Sequence, residues 1–360
     1  MYKNFFGFKE RPFKLVPDPT YLFLSKSHEV ALAHLNYAVI QGEGFVEITG
    51  EIGTGKTTLC RAFLENQDDK TKAAYIFNPK LNSIQLLKAI NDEFGISSHA
   101  DNTKDLIDSL NVFLIEEKSK GANVILVIDE AQTLDNEVLE QIRLLSNLET
   151  TKHKLLQIVL AGQPELEERL DSRELRQLGQ RITLSSQLIP LSYKEVIQYI
   201  QHRMSIASRK PSAKFAHASY KAIYRYSSGI PRLINIVCDR ALMTAYVLEQ
   251  DKITGDIVKA AIKELTGRGN IKRYSFQNRK RAMAKIQMLD GERSESTDIF
   301  LTVDELSERL KVHKSWIYAQ TRQTGPNAIP RIKVGKYLRF EWIEIEKWIM
   351  RQQGEQENNR

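Results

Sequence analysis

The sequence predicts a parallel α/β sheet built around a glycine loop, a helical lid after it, and a separate winged helix-turn-helix at the C-terminal end. Three observations carry this. Residues 45–49 alternate apolar and polar, break into the glycine loop at Gly50, and resume at 59–64 as a helix signal. Residues 124–128 are apolar without alternation and end in Asp129-Glu130, the pattern of a central strand covered on both faces. From Ser192 the strand signals give way to four helical patterns, and beyond Arg268 the chain changes character again.

At about 150 residues per domain, 360 residues suggest two or three domains. Apolar residues at 42% and charged residues at 27% suit an ordinary globular protein with a sizeable core. A formal charge of +7 fits a polyanionic partner, or solubility alone. The two cysteines, Cys60 and Cys238, lie far apart in helical patterns, which argues against a zinc site or disulfide framework and for a reducing compartment. No apolar run approaches the roughly 20 residues needed to cross a bilayer, and the N-terminus lacks a signal-peptide pattern. A cytoplasmic protein without membrane contact is therefore expected.

Residues 1–30 are aromatic and proline-punctuated, with Phe5, Phe6, Phe8 and Phe13 ahead of Pro17 and Pro19. Such a stretch is neither regular helix nor central strand, and its phenylalanines are costly to leave in water. It is expected to lie as a cover against the domain, either as plain packing or as a wall that holds a base. Residues 28–40 then read as an amphipathic helix.

The loop itself satisfies G-x-x-x-x-G-K-[ST] through Gly50, Gly55, Lys56 and Thr57, with Thr54 and Thr58 as further candidate contacts. Gly50, Gly53 and Gly55 let successive backbone N–H groups face an anion, and the positive end of the next helix adds to the field. Lys56 can then reach β- and γ-phosphates, and the Thr57 hydroxyl can ligate Mg²⁺.

Residues 73–77 read as a buried strand, 83–94 and 103–120 as helices, and 124–128 as the acidic-ended strand. Asp129 is placed to hold the Mg²⁺ shell, and Glu130 to orient or deprotonate an attacking water, which makes the loop a hydrolysis site. A helix at 136–148 precedes the strand 155–161, whose tip carries Gln163, where a polar side chain can sense a terminal phosphate. Pro164 stops that strand and opens a helix at 165–180, followed by the strand 182–184. Arg173, Arg176 and Arg181 are either solvated or able to reach a neighbouring subunit's phosphates. The lid helices are expected at 193–208, 216–227, 232–248 and 254–265. Gly229-Ile230-Pro231 delivers Arg232 into the first turn of one of them, where a cation is electrostatically misplaced unless kept for a ligand.

Gly50 to Thr57, Asp129-Glu130, Gln163, Arg181 and Gly229 to Arg232, in this order, resemble an AAA+ ATPase. The resemblance is strongest to the secretion-pathway A-component (ExeA-type) branch, through the Phe-x-Pro-Asp-Pro-like opening at Val16 to Phe23, Glu130-Ala131-Gln132, and Leu160-Ala161-Gly162-Gln163-Pro164-Glu165-Leu166. Transposition-helper ATPases of the TniB and TnsC kind are near relatives. The resemblance covers roughly residues 1–267. It implies ATP and Mg²⁺ as cofactors, the Walker A role for Lys56 and Thr57, Walker B for Asp129 and Glu130, sensors in Gln163 and Arg232, a finger role for Arg181, and assembly into rings or filaments.

The expected domains are thus a nucleotide-binding α/β domain at 1–191, a helical lid at 192–267, a basic joint at 268–298, a winged helix-turn-helix at 299–350 and a polar tail at 351–360. Residues 268–288 carry seven cations, among them Arg268, Lys272, Arg273 and Arg279, and no acid, with Tyr274 and Phe276 interleaved. That suits a phosphate backbone or a solvated linker. Thr302 and Glu305 stand at capping-box spacing for a helix at 303–310, and a second helix follows at 313–322. The region resembles an excisionase-like, MerR-related winged helix. It offers Lys314, Ser315, Trp316, Tyr318 and Arg322 on its second helix and Arg331, Lys333, Lys336 and Arg339 on its wing as candidate DNA contacts. A protein-interaction module with a basic surface is the competing reading.

Two functions compete. In the first, ATP turnover drives assembly on duplex DNA in a mobile-element transaction, as a homo-oligomer beside a transposase or nuclease. In the second, the ATPase serves secretion-system or envelope assembly and the C-terminal domain binds protein.

Overall fold

The computed structural model describes residues 2–77, 80–97, 100–150, 153–208 and 212–267, and beyond them 303–310, 312, 314, 317, 320–321, 328–334, 337–340, 345 and 348. The chain divides into two compact units, 1–274 and 275–360.

The first unit opens with a single helical turn, α1 (Tyr2–Phe5), and a 3-10 turn at Pro19–Tyr21, so the proline-punctuated stretch is not wholly irregular. α2 (Lys26–Gln41) ends where Gly42 takes a left-handed cap. β1 (Phe45–Gly50) leads through the glycine loop to α3 (Lys56–Glu65) and β2 (Thr71–Ile76). α4 (Ser83–Glu93) starts from a reciprocal capping box of Asn82 and Gln85, and α5 (Thr103–Ser119) from the Asn102 side chain. β3 (Asn123–Ile128), α6 (Asn136–Leu145), β4 (Gln157–Gly162), α7 (Pro164–Leu170), α8 (Arg176–Gly179) and β5 (Ile182–Leu188) complete the α/β part.

The five strands are parallel in the order β2-β3-β4-β1-β5. β4 therefore lies between the acidic strand and the loop strand, which brings Gln163 to the same sheet edge as both. One face of the sheet packs α4 to α7 through Leu86, Leu106, Val138 and Leu166, and the other packs α2 and α3 through Leu35, Leu59 and Phe63. Each of these fully buried side chains contributes about 2 kcal/mol of transfer free energy.

The helix expected over 165–180 is broken. Its first part stops at Leu170, whose turn is closed by Asp171, and the chain re-enters the core at buried Leu175 before the short α8. Asp and Ser are weak in helix interiors because their side chains compete for backbone groups. The helix expected to reach 148 ends at Leu145, where the Ser146 hydroxyl bonds back to the Arg143 carbonyl.

The lid comprises α9 (Tyr193–Ala207), β6 (Lys214–Phe215), α10 (His217–Ser227), α11 (Pro231–Val247), β7 (Lys252–Ile253) and α12 (Gly255–Gly267). It was not expected to contain strands, yet β6 and β7 pair in parallel, two residues each. The aromatic N-terminal stretch packs into this lid rather than onto the sheet. Tyr2, Phe6, Phe8 and Phe13 share a core with Val196, Ile234 and Cys238, and the Arg203 side chain donates to the carbonyls of Pro12 and Lys14. Cys60 and Cys238 are buried and free.

In the second unit, α13 (Val303–Leu310) and an antiparallel hairpin of β8 (Ile332–Val334) and β9 (Tyr337–Arg339) are described, over a small core of Val303, Leu306, Ile317, Phe340 and Trp348. Lys314 and Arg331 are exposed, and Lys333 and Arg339 lie on β8 and β9. Ser315, Trp316, Tyr318, Arg322, Lys336, the Thr302 cap, the joint at 268–298 and the tail at 351–360 lie outside the described residues.

Candidate active site

A cavity of about 490 Å³ opens between the glycine loop, the N-terminal segment and the lid. Its floor is the loop. Gly53 has a φ of +83°, and a Cβ there would stand 2.5 Å from the Arg232 Cβ, so both its conformation and its contact demand glycine. The Arg232 N–H donates to the Gly53 carbonyl at 3.1 Å, which ties the start of α11 to the loop. Thr54 closes the turn by donating its hydroxyl to the Glu51 carbonyl at 2.8 Å, while Thr57 and Thr58 begin the wall above it.

Lys56 is 5% exposed, and its Nζ donates to the carbonyls of Gly50 at 2.7 Å and Glu51 at 3.2 Å. Burial pushes its pKa down, and the carboxylates of Glu130 and Asp129 oppose that shift. Thr57 donates to Asp129 Oδ2 at 2.6 Å, Tyr75 donates to the same oxygen at 2.7 Å, and the Glu130 N–H donates to Asp129 Oδ1 at 2.9 Å. A hydroxyl and a fully buried carboxylate in contact are the hard oxygen donors that Mg²⁺ prefers, so Thr57 and Asp129 fit that ion.

Glu130 holds a φ of +56°, unusual for a residue with a Cβ and worth on the order of 1–3 kcal/mol of strain. Its carboxylate lines the cavity and accepts from Gln132 Nε2 at 2.6 Å and from Gln163 Nε2 at 3.4 Å. The fold thus gathers Lys56, Thr57, Glu130 and Arg232 at one cavity, with Asp129 behind Thr57 and Gln163 behind Glu130. Arg181 is not among them. Its guanidinium is held by the Arg143 carbonyl at 3.1 Å and by the Ser146 hydroxyl, at the end of α6. Arg173 and Arg176 are exposed.

Four contributors were not assigned a role from the sequence. His28 is 3% exposed at the start of α2 and approaches the loop from behind. Its Nε2 faces the Thr54 carbonyl at 3.2 Å, which can only accept, so Nε2 carries the proton and Nδ1 accepts from Ser25 Oγ at 2.6 Å. Burial pushes its pKa down to about 4, against the Thr54 hydrogen bond and the Glu195 charge. Arg203 joins its Nε to the Pro12 carbonyl at 2.7 Å and lies 4.6 Å over the Tyr21 ring, fixing the wall opposite the loop. Tyr75 and Gln132 complete the acidic end of β3. Only Gln132 carried a signal, as part of the Glu130-Ala131-Gln132 run.

The family model for an AAA domain matches residues 39–170. The general secretion pathway protein A of Aeromonas hydrophila is 45% identical over 268 residues, 74% of this chain and 49% of that protein, so the chain spans about half the length of this curated relative. The solved structure of the Aeropyrum pernix ORC2 protein in its ADPNP–ADP complexes superposes with a TM-score of 0.59 at 16% identity, over 97% of this chain and 99% of that one. The Pyrobaculum aerophilum Cdc6p structure superposes at 0.54, also with 16% identity, over 94% and 99%. The two structures establish the fold. The glycine loop and the acidic strand end both fall within the residues that match the AAA-domain model, and they support an ATPase.

Proposed function

We propose that the cavity takes ATP with its phosphates on residues 50–57 and its base between the N-terminal segment and the lid. The observation that carries this is the contact of Thr57 with Asp129 beside a lysine that rests on backbone carbonyls. Those carbonyls are weak partners, and Lys56 exchanges them for β- and γ-phosphate oxygens. Thr57 and Asp129 hold Mg²⁺, which supplies charge neutralisation at the phosphates when bound. Glu130 accepts the proton of the attacking water, Gln163 contacts the terminal phosphate, and Arg232 reports the phosphates to the lid. Arg181 acts only across a subunit boundary, in a ring or filament, because its own chain holds it away from its own cavity.

For the process served, the identity to general secretion pathway protein A favours turnover coupled to assembly of an envelope or secretion machine over a role in transposition. Among the described residues no helix is long and apolar enough to cross a membrane. The basic run at 268–288 and the cations Lys314, Arg331, Lys333 and Arg339 favour a second reading, in which the C-terminal unit anchors the ATPase on duplex DNA. Fluorescence anisotropy of a labelled duplex, titrated with the full chain plus ATP analogue between about 50 and 200 mM salt, separates the two. Absence of binding at low salt supports the envelope reading and removes the DNA one. Tight binding that falls steeply with salt does the reverse.

A further inference from the structure

Gln132 sits at the junction of β3 and β4, and both ends of its side-chain amide and its backbone carbonyl are engaged. Its Nε2 donates to Glu130 Oε2 at 2.6 Å, its Oε1 accepts the Gln163 N–H at 3.0 Å, and its own carbonyl accepts Arg169 Nη1 at 2.8 Å. The orientation of the amide is forced. A backbone N–H can only donate and an ionised carboxylate can only accept, so the turned-over amide would meet two like partners. Arg169 in turn bonds Asn136 Oδ1 at 2.6 Å, which fixes the Gln132 backbone between α6 and α7. On the other side, a Cβ on Gly162 would stand 3.0 Å from Gln132 Oε1, so glycine there leaves the amide its place.

The sequence points to Gln163 as the polar side chain at this strand tip, yet its 3.4 Å separation from Glu130 is too long to orient a carboxylate by itself. Gln132 is 0.8 Å closer, by the same two distances. We infer that Gln132 is the positioning residue for Glu130: it fixes one carboxylate oxygen against β4 and leaves the other directed at the attacking water. The left-handed backbone of Glu130 aims the side chain, and Gln132 sets the carboxylate's rotation about its last bond. This rests on Glu130 being the base.

Single-turnover ATP cleavage and equilibrium binding of a fluorescent ATP analogue, measured on wild type, Gln132→Ala, Glu130→Gln and the double variant of the full chain, test it. The single Gln132→Ala substitution is expected to slow cleavage about 10- to 100-fold with analogue affinity within about twofold of wild type, since misplacing a reacting group costs rate rather than binding. In the Glu130→Gln background it is expected to have no further effect, because it acts only through that carboxylate. Cleavage within about twofold of wild type in Gln132→Ala overturns the inference. So does affinity lost in step with rate, or an equal loss in the Glu130→Gln background. Wild-type cleavage in Glu130→Gln alone would instead remove the base assignment.

Discussion

The two walls of the cavity are built on different principles. The phosphate wall draws on two short stretches, residues 50–58 and 129–130: the loop closes on itself through bonds a few residues apart, and Thr57 joins it to Asp129. The opposite wall joins residues 12–23 to α9 and α11 across about 180 residues, as in the Arg203 bond to Pro12 and the His202 bond to the Leu22 carbonyl. The loop part of the first wall is held mainly by local bonds. The second depends on tertiary packing, and the bond from the Arg232 N–H to Gly53 is where the two meet. The groups proposed for chemistry thus lie on the first wall, and the second wall joins the N-terminal segment to the lid.

Breaking the phosphate wall should cost most. Replacing Lys56 with Ala removes the loop's cation toward β- and γ-phosphates, and ATP analogue affinity should fall about 100-fold or more, read by fluorescence titration. Weakening by less than about threefold would show that the backbone N–H groups alone carry the binding.

His28 supports that wall from behind. An unfolded histidine takes its proton near 6.5, whereas His28 in the folded chain does so only near 4. Between these values the unfolded state binds more protons, so folding stability falls as pH drops through the window, by about 3 kcal/mol in total. Urea midpoints at pH 7 and pH 4.5 should show most of that loss in wild type, and His28→Asn, which cannot titrate, should lose less over the same interval. Identical pH slopes would detach His28 from the effect.

The smallest change is expected at the opposite wall. Arg203→Met keeps the stem but drops three donors, so the N-terminal segment loosens and KM for ATP should rise about 5- to 10-fold with kcat within about twofold. An equal fall in kcat would mean that this wall shapes the chemistry as well.

The same division explains what the sequence disclosed. Gly50 to Thr57 and Asp129-Glu130 were legible because phosphate and metal chemistry impose residue types at fixed spacing on one strand-loop-helix unit. The five-stranded parallel sheet followed from unbroken apolar runs such as 124–128. His28, Tyr75 and Arg203 were not legible, since each acts on a partner 26 to 191 residues away that no periodicity links. The broken helix after β4 was missed because Asp171 and Ser172 stop it locally while Leu175 is drawn back into the core. Phe6, Phe8 and Phe13 announced burial without naming the surface that buries them, which is the lid, whereas Phe5, expected to join them, is 41% exposed.

The central claim is that a prebuilt phosphate wall positions Glu130 as the base for ATP cleavage. The most direct measurement is single-turnover hydrolysis by Glu130→Gln, with analogue binding followed in parallel. Wild-type affinity with cleavage slowed about 100-fold or more is the expected result. Cleavage at the wild-type rate with that affinity intact would contradict it.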